Sequence, residues 1–376
     1  MERSVLKAIN QKNMQTYLIE RQYDAMFWPR FFPLKRVSQL VLQTLIGTKG
    51  NRVAADVTAY NASAPRKRRQ PSNKITTRIP AIRIARDMDE NDLNEFDQLT
   101  ANADAEGLRA ALDLVFNDID FVVDGCLARM EWIALQALSQ CVVDLSVTNN
   151  DGIVTVDTID FQLPAANKEY IGSAGGTAAA THYWTAAAAS TNDPITDIES
   201  IMIEANNAGK RVSVMQMNMT KWLDLRKSTA FQNFVLGSSV IGGNTVTKNP
   251  TLAEANATLL AQGLPTIEII DTRVDLETED HDRTSTDPWL DSSGSDNRVL
   301  FTIPGALGNT AYAPTAEENH PVKQAIYAKK GPILVSKFST ADPVKESTVG
   351  LINSFPEWTT IDQVWSLNTE SHTSWD

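Results

Sequence analysis

One apolar stripe constrains the fold of this chain more than any other feature of its sequence. Apolar residues recur at steps of three or four over a long stretch, which is the spacing of one face of a continuous α-helix. The members are Leu108, Leu112, Val115, Ile119, Val122, Cys126, Met130, Ile133, Ala137 and Cys141. No proline lies between Pro80 and Pro164 to interrupt such a helix. At about 1.5 Å per residue the helix would be roughly 50 Å long, so it must lie across a body of other elements.

The two cysteines of the chain, Cys126 and Cys141, both lie on this stripe. On one helix they would be about 22 Å apart, which is too far for a disulfide bond. Apolar surroundings predict buried, unreactive thiols rather than catalytic ones. Two unpaired thiols are typical of a reducing compartment, most often the cytosol.

Residues 1–50 are irregular and predict an N-terminal arm that carries a cluster of large aromatic side chains. The cluster consists of Phe27, Trp28, Phe31 and Phe32. Pro29 and Pro33 lie among these residues, and two prolines within five residues predict a non-helical chain. Aromatic rings on such a segment need a surface to pack on. Two alternatives stay open: the arm docks on the core of its own subunit, or it forms an inter-subunit contact with a neighbouring chain.

Residues 51–86 predict an extended β-hairpin. The run from Lys74 to Ile79 alternates polar and apolar residues, which is the pattern of a strand with one apolar face. Pro80 has no backbone N–H to donate, so it predicts an edge position for the far end of the strand. A two-stranded hairpin is marginally stable in water by itself. We therefore expect it to lie on its own domain or on a partner.

Four consecutive basic residues, Arg66, Lys67, Arg68 and Arg69, form the expected tip of this hairpin. The chain as a whole is acidic, with 34 basic and 46 acidic side chains and a net charge of −12. That balance argues against a DNA-coating protein, because such affinity comes from neutralising phosphates. Three alternatives stay open for the quartet: contact with carboxylates of a neighbouring subunit, a solvated turn, or direct contact with nucleic acid.

The rest of the chain predicts two further domains and a C-terminal segment, in an α+β fold. Residues 87–192 combine the long helix, expected over 108–141, with strand-like runs and an Ala/Thr/Gly-rich tract that is typical of a connector. Residues 193–335 alternate capped helices with short strands, which indicates a mixed α/β domain, and they include an acidic loop of more than twenty residues. Residues 336–376 hold strand-like runs that would return to an earlier sheet.

No motif in the sequence carries recognisable chemistry. The chain lacks a nucleophile elbow, a phosphate-binding loop, dinucleotide-binding glycines and a zinc-protease helix. Its four histidines lie in separate loop-like segments, at His182, His281, His320 and His372. We therefore expect no catalytic residue, no cofactor and no metal, and a soluble α/β hydrolase or sugar-binding protein is the weakest alternative. No apolar run approaches the ~20 residues that span a bilayer, so no membrane partner is expected.

Several segments taken together resemble a known family. The segments are RFFPLKRV, TKGNRVAADVTAYNASAPRKRR, IPAIRIARDMDENDLN, NDPITDIESI and DPVKESTVGLINSFPEWTTIDQVWSLN. Each is weak alone, but their order and spacing resemble the lambda-type major capsid protein E family of tailed bacteriophages. The resemblance extends over nearly the whole chain.

The resemblance implies the Hong Kong 97 capsid fold. Its expected parts are an N-terminal arm, an extended loop over an adjacent subunit, a peripheral domain with a spine helix, and an α/β axial domain. The implied function is self-assembly into an icosahedral head shell that encloses the phage genome. An encapsulin-like nanocompartment shell has the same fold and stays open as an alternative.

The resemblance also implies partners and a location. Hexamers and pentamers of identical subunits would form the shell, together with portal, scaffold and decoration proteins. Double-stranded DNA would lie on the inner face. The protein would be part of the virion and would assemble in the cytoplasm of the host bacterium.

Overall fold

The computed structural model describes most of the chain and divides it into two compact units. The described residues are 10–46, 73–101, 105–145, 158–237, 240–241, 244–245, 248–277, 283–291, 294–341 and 343–375. Unit 1 consists of Met1–Leu42, Thr77–Ala134 and Thr310–Glu357. Unit 2 consists of Gln43–Thr76, Leu135–Asn309 and Trp358–Asp376. Both units contain helices and strands, so the predicted α+β class is confirmed.

The elements are numbered here in chain order. The described helices are α1 (Gln11–Glu20), α2 (Trp28–Phe31), α3 (Glu90–Ala101), α4 (Ala105–Gln140), α5 (Pro194–Asn207), α6 (Met219–Leu225), α7 (Thr229–Leu236), α8 (Leu252–Ala261) and α9 (Ala316–Asn319). The described strands are β1 (Leu34–Arg36), β2 (Val41–Ile46), β3 (Asn73–Arg78), β4 (Ala81–Met88), β5 (Val142–Asp144), β6 (Thr158–Asp160), β7 (Lys168–Tyr170), β8 (Val214–Met217), β9 (Val240–Ile241), β10 (Asn244–Thr245), β11 (Thr266–Ile269), β12 (Val274–Glu277), β13 (Arg283–Thr286), β14 (Arg298–Thr302), β15 (Gly308–Ala313), β16 (Ala325–Lys330), β17 (Ile333–Ala341), β18 (Val344–Trp358) and β19 (Trp365–Asn368).

The predicted long helix is present as α4, which runs for 36 residues. After Gln140, Cys141 adopts the left-handed backbone conformation, with φ 55°, that closes many helices. Its N–H donates to the carbonyl of Ala137 at 3.1 Å. Cys126 and Cys141 are both free and buried, and burial raises the pKa of each thiol to about 12. The prediction that both thiols are buried is therefore confirmed.

Unit 1 is built around a six-stranded sheet with the order β1-β15-β18-β17-β16, in which β4 also pairs with β18. The longest strand, β18, has 15 residues and is antiparallel to β17 on one side and to β4 on the other. Gly350 of β18 lies against α4 so closely that an added Cβ would be 2.6 Å from the carbonyl oxygen of Val122. The absence of a side chain at this position therefore sets the distance between helix and strand.

The β16 edge of this sheet is covered by α1. The side-chain amide of Gln15 bonds to the backbone of Lys329 twice, donating to its carbonyl at 3.0 Å and accepting from its N–H at 2.9 Å. The ammonium of Lys330 donates to the carbonyls of Leu18 at 2.7 Å and Arg21 at 2.6 Å, at the end of α1. Exposed strand edges invite pairing with other chains, so this helix blocks one such site.

Two sequence expectations for the first ninety residues need correction. The aromatic segment contains the short helix α2, because Pro29 lies in its first turn, where a backbone N–H is not needed. In the predicted hairpin, β3 pairs with β2, a strand that lies within the predicted arm. Residues 47–72 lie outside the described part of the chain.

Unit 2 contains a five-stranded mixed sheet with the order β11-β8-β14-β19-β7. β8 is parallel to β11, β19 is parallel to β7, and β14 is antiparallel to both β8 and β19. Helices α5, α7 and α8 contribute Ile198, Phe231 and Leu259 to the core that includes Met215 and Val299 of the sheet. The alternation of capped helices and strands predicted after residue 193 is present in this unit.

The Ala-rich tract predicted as a connector is instead packed into unit 2. The Trp184 side chain is fully buried, and its indole N–H donates to the carboxylate of Asp197 at 2.9 Å. Its backbone N–H donates to Thr369 at 3.0 Å. The predicted acidic loop also contains regular structure, because β12 and β13 pair within it, and its Trp289 is buried. In both segments a buried tryptophan supplies apolar area for packing, although the surrounding residues are mostly small or polar.

We predict that Gly350→Ala destabilises the protein by about 1–3 kcal/mol, because the new methyl group meets backbone of α4 that cannot move aside. The measurement is the urea dependence of unfolding. Gly125→Ala is the matched control at the same interface, since there the Cβ would meet only the flexible end of Ile84, at 2.5 Å from its Cδ1. Equal losses in the two variants would contradict this account of the helix–strand contact.

Candidate functional site

The aromatic cluster predicted as a contact site is largely packed inside unit 1. Trp28, Phe31 and Phe32 are 4%, 2% and 0% exposed, whereas Phe27 is half-buried. In this conformation the three buried rings are unavailable to a neighbouring chain. The alternative in which the arm docks on its own subunit therefore describes these three residues.

A buried carboxylate holds this segment in place. Glu131 of α4 is 1% exposed and accepts the backbone N–H of Phe27 at 2.9 Å and of Trp28 at 2.8 Å. Burial raises the pKa of Glu131, and the two backbone hydrogen bonds act in the opposite direction. One side chain thus satisfies two N–H groups at the start of α2 that have no partner within the helix.

A second carboxylate on α4 holds α1 and the stretch that follows it. Asp120 accepts the hydroxyl of Tyr17 at 2.7 Å and of Tyr23 at 3.0 Å, and it pairs with Arg21 at 3.0 Å. The Tyr17 ring also stacks on Phe116, with centroids 4.2 Å apart. Burial, together with this carboxylate, raises the pKa of Tyr17 to about 12 and that of Tyr23 further.

The basic quartet Arg66, Lys67, Arg68 and Arg69 lies outside the described residues. The described chain that leads toward it carries apolar side chains in contact with solvent. Leu34, Leu40 and Val41 are 44%, 42% and 45% exposed, and we call these three residues the β1–β2 surface. Sequence reasoning missed them because neither a lone leucine nor a short apolar run such as residues 40–42 shows by itself whether it is buried or exposed.

Strand β1, which contains Leu34, is the edge strand at one end of the six-stranded sheet. β1 pairs with β15, and all three of its residues are exposed. Lys35 of β1 forms an ion pair with Glu357 at 3.2 Å. The opposite end of the same sheet is covered by α1, so the described part of unit 1 protects one edge and leaves the other open.

Buried charges in the two units have structural partners. In unit 1 the fully buried ammonium of Lys337 donates to Thr348 at 2.9 Å; burial lowers its pKa, while Glu346 and Asp118 raise it. In unit 2 Lys221 is equally enclosed, and its partners are Glu370 at 2.7 Å, Asp296 at 3.4 Å and the Trp184 carbonyl at 3.3 Å. Enclosed ammonium groups cannot reach a substrate, so their altered environment belongs to the fold.

The described part of the chain contains neither a metal-binding cluster nor a helix suited to a membrane. Within those ranges no group of three or more His, Cys, Asp or Glu side chains is arranged to bind a metal ion. None of the helices in the same part of the chain is both long and apolar enough to cross a membrane.

Solved structures show what the fold is. A putative capsid protein of a prophage of E. coli CFT073 superimposes with a TM-score of 0.55 at 14% sequence identity, covering 96% of this chain and 99% of that one. A phage-related protein from Bordetella bronchiseptica RB50 gives a TM-score of 0.49 at 12% identity, covering 97% and 98%. The prophage protein thus shows that this chain has the fold of phage capsid proteins, and the expected Hong Kong 97-type fold is confirmed.

The family follows from a comparison with family models. The model described as phage major capsid protein E matches residues 3–335, and the chain belongs to that family. No sequence among the curated proteins matches this chain. The protein is thus a structural subunit of a bacteriophage capsid and a component of the virion, as the sequence resemblance implied.

We predict that Glu131→Gln lowers the free energy of unfolding by about 1.5–3 kcal/mol, the range for hydrogen bonds to a charged acceptor. Glutamine keeps the size of the side chain but turns an NH₂ group toward one of the two backbone N–H groups that Glu131 now accepts. Denaturant unfolding measures the loss, and limited proteolysis between α1 and α2 should become faster.

Glu20→Gln is the control for this experiment, because it makes the same chemical change at an exposed position of α1. If Glu131→Gln and Glu20→Gln have the same stability and the same proteolysis rate, Glu131 does not anchor the segment.

Proposed function

We propose that copies of this chain form hexamers and pentamers of an icosahedral shell through the β1–β2 surface and the basic quartet. The observation that carries the proposal is the edge of the six-stranded sheet formed by β1, which none of the described elements covers. β1 is exposed along its whole length, and Leu34, Leu40 and Val41 keep more than two fifths of their area in solvent. Apolar area beside a strand edge that has no described partner strand is suited to association with another chain.

The quartet would act by charge rather than by burial. Arg66, Lys67, Arg68 and Arg69 stand in a chain with a net charge of −12, so an identical neighbour presents an excess of carboxylates. A single exposed ion pair contributes only about 0–1 kcal/mol. Repeated at every interface of a closed shell, such pairs would select the register in which subunits meet.

The expected partners and place of assembly follow from the shell. Double-stranded DNA would lie on the inner face with weak, sequence-independent contacts, since an acidic subunit neutralises few phosphates. Portal, scaffold and decoration proteins would complete the particle. Two free, buried thiols suit assembly in the reducing cytoplasm of the bacterial host. The role is structural rather than enzymatic, in agreement with the family to which the chain belongs.

The first test concerns the β1–β2 surface. We expect Leu34→Ser combined with Leu40→Ser to reduce shell formation at least tenfold and to leave the thermal unfolding temperature nearly unchanged, because both residues are exposed in the single chain. Negative-stain microscopy and sedimentation of the purified protein count shells against free subunits.

Ile203→Ser combined with Leu260→Ser is the control, since these residues of unit 2 are 61% and 69% exposed. Shells of normal number in the Leu34/Leu40 variant would refute the assignment of this surface, and equal losses in the control would show that the effect is not specific to it.

The second test replaces Arg66, Lys67, Arg68 and Arg69 with glutamine. We expect slower assembly and a weaker dependence of the assembly rate on salt, because screening acts on the charges that were removed. Light scattering at several ionic strengths follows the rate. Normal shells that package less DNA would favour the nucleic-acid alternative, and no change in either property would indicate a solvated turn.

The control variant for the quartet removes the same number of positive charges at other positions. Lys12, Arg211, Arg273 and Lys323 are exposed, and their replacement by glutamine also removes four positive charges. An equal reduction of the assembly rate in this variant would contradict a specific role of the quartet.

A further inference from the structure

An exposed apolar side chain stands on α1, the helix that covers the β16 edge of unit 1. Met14 and Leu18 of this helix are fully buried, whereas Ile19 is 67% exposed. Glu20, which ends α1, and Asp24, four residues later, are exposed as well. We call Ile19, Glu20 and Asp24 the α1 surface. It combines one apolar side chain with two carboxylates.

The two carboxylates of the α1 surface have no ion-pair partner among the residues that the structure describes. The basic groups around them are engaged elsewhere. Arg21 pairs with Asp120 at 3.0 Å, and the ammonium of Lys330 donates to backbone carbonyls at the end of α1. Lys12 is exposed at the start of the helix, eight residues before Glu20 and so about 12 Å away along the axis. The α1 surface is therefore acidic.

The β1–β2 surface has the complementary composition. Arg36 ends β1 and Arg78 ends β3, and both are exposed. The N–H of Ile79 donates to the carbonyl of Leu40 at 2.8 Å, which brings the end of β3 beside this surface. Within the described ranges neither arginine has an ion-pair partner. The surface thus presents exposed apolar side chains together with two arginines.

We propose that the α1 surface of one copy receives the β1–β2 surface of the next copy. The inference rests on the proposed function, for which it names the receiving surface. Apolar side chains would meet at the centre of the contact, and opposite charges at its rim would fix the register. The basic quartet fits the α1 surface less well, because Arg66–Arg69 bring no apolar side chain to meet Ile19.

Such a contact is heterologous, because it joins two different parts of the chain. Each copy would give its β1–β2 surface to one neighbour and its α1 surface to another. Contacts of this kind close into a ring when the rotation from one subunit to the next fits a whole number of copies. The hexamers and pentamers of the proposed shell are rings of this kind, whereas a contact between two identical surfaces would end at a dimer.

Charge reversal in the purified full-length protein tests the pairing. We expect Arg36→Glu combined with Arg78→Glu to reduce shell formation about tenfold or more, because like charges then face each other. Glu20→Arg combined with Asp24→Arg should have the same effect. All four substitutions together restore opposite charges and should return the number of shells to within about threefold of the wild type. Negative-stain microscopy and sedimentation count the shells.

A mixture of the two defective variants tests the head-to-tail arrangement. Each β1–β2 surface in an equimolar mixture finds an α1 surface of opposite charge only on the other variant, so the two variants must alternate. A ring of six copies accommodates alternation, and a ring of five does not. We therefore expect mixing to give hexamers in sheets or tubes rather than closed shells. Variants that stay dissociated after mixing would contradict the heterologous contact.

Arg211→Glu combined with Arg273→Glu is the matched control, since these exposed arginines of unit 2 undergo the same change elsewhere. When combined with the reversed Glu20 and Asp24, this control restores the net charge but should not restore the shells. Thermal unfolding should stay nearly unchanged in every variant, because all the replaced residues are exposed in the single chain. Reversed variants that form normal shells would overturn the proposal.

Ile19→Ser keeps every charge and should also reduce the number of shells, because it removes the apolar side chain at the centre of the contact. It thereby tests the surface without charge reversal.

The variant with serine at positions 34 and 40 separates this inference from the proposed function. If that variant loses its shells while the four-residue exchange restores none, the β1–β2 surface meets a different part of its neighbour and the assignment of the α1 surface is wrong. If that variant forms normal shells, the proposed function itself fails.

Discussion

The contact between α4 and β18 fixes the positions on which the rest of unit 1 is assembled. Gly350 lets the strand approach Val122 to a distance that no side chain would allow. With the helix fixed in this way, Asp120 and Glu131 are fixed as well. They are eleven residues apart, about three turns, and so lie on nearly the same face of α4. Asp120 accepts hydrogen bonds from two tyrosine hydroxyls, one on α1 and one in the stretch after it. Glu131 accepts hydrogen bonds from two backbone N–H groups at the start of α2.

The buried ionisable groups follow two different physical rules. Lys337 and Lys221 each face carboxylates that offset the cost of enclosing an ammonium group. Removing one partner from such a set leaves an unpaired charge, which is why these residues stabilise one arrangement of the chain. Glu169 faces another carboxyl group, so burial and its neighbour both favour the bound proton. The carboxylates that face Lys337 favour its charged form, whereas the carboxyl group near Glu169 favours the neutral form of that side chain.

The sequence predicted the parts of the fold that depend on local patterns. The stripe defines α4 because every turn of a helix on a sheet must place an apolar residue on the same side. The cap at Asp193 and the glycine at Gly209 similarly define the ends of α5. What could not be predicted depends on distant partners. Trp184 is one aromatic residue in an Ala-rich tract, and its place in the core is set by Asp197 and by Thr369, the residue after β19.

The candidate contact surfaces also combine features that the sequence predicts with features that depend on distant residues. The aromatic residues of the arm are conspicuous in the sequence, but whether they pack on their own chain depends on Glu131, about a hundred residues away. The β1–β2 surface, in contrast, is inconspicuous in the sequence. Leu34 stands apart from Leu40 and Val41 in the sequence, and the three residues give no periodic signal. Their exposure shows only in the structure, where no described element covers them as α1 covers the other edge.

These contacts bear on how a shell subunit can be stable before it assembles. Three of the four aromatic rings of the arm are buried within the single chain, and α1 covers one sheet edge, so the subunit satisfies its largest apolar groups without a neighbour. The surfaces proposed for association are small or charged, and each would contribute little free energy by itself. Weak contacts allow a wrongly placed subunit to dissociate, whereas many of them acting together hold a closed shell. A subunit that needed its neighbour to bury the arm would instead expose those rings during synthesis and aggregate.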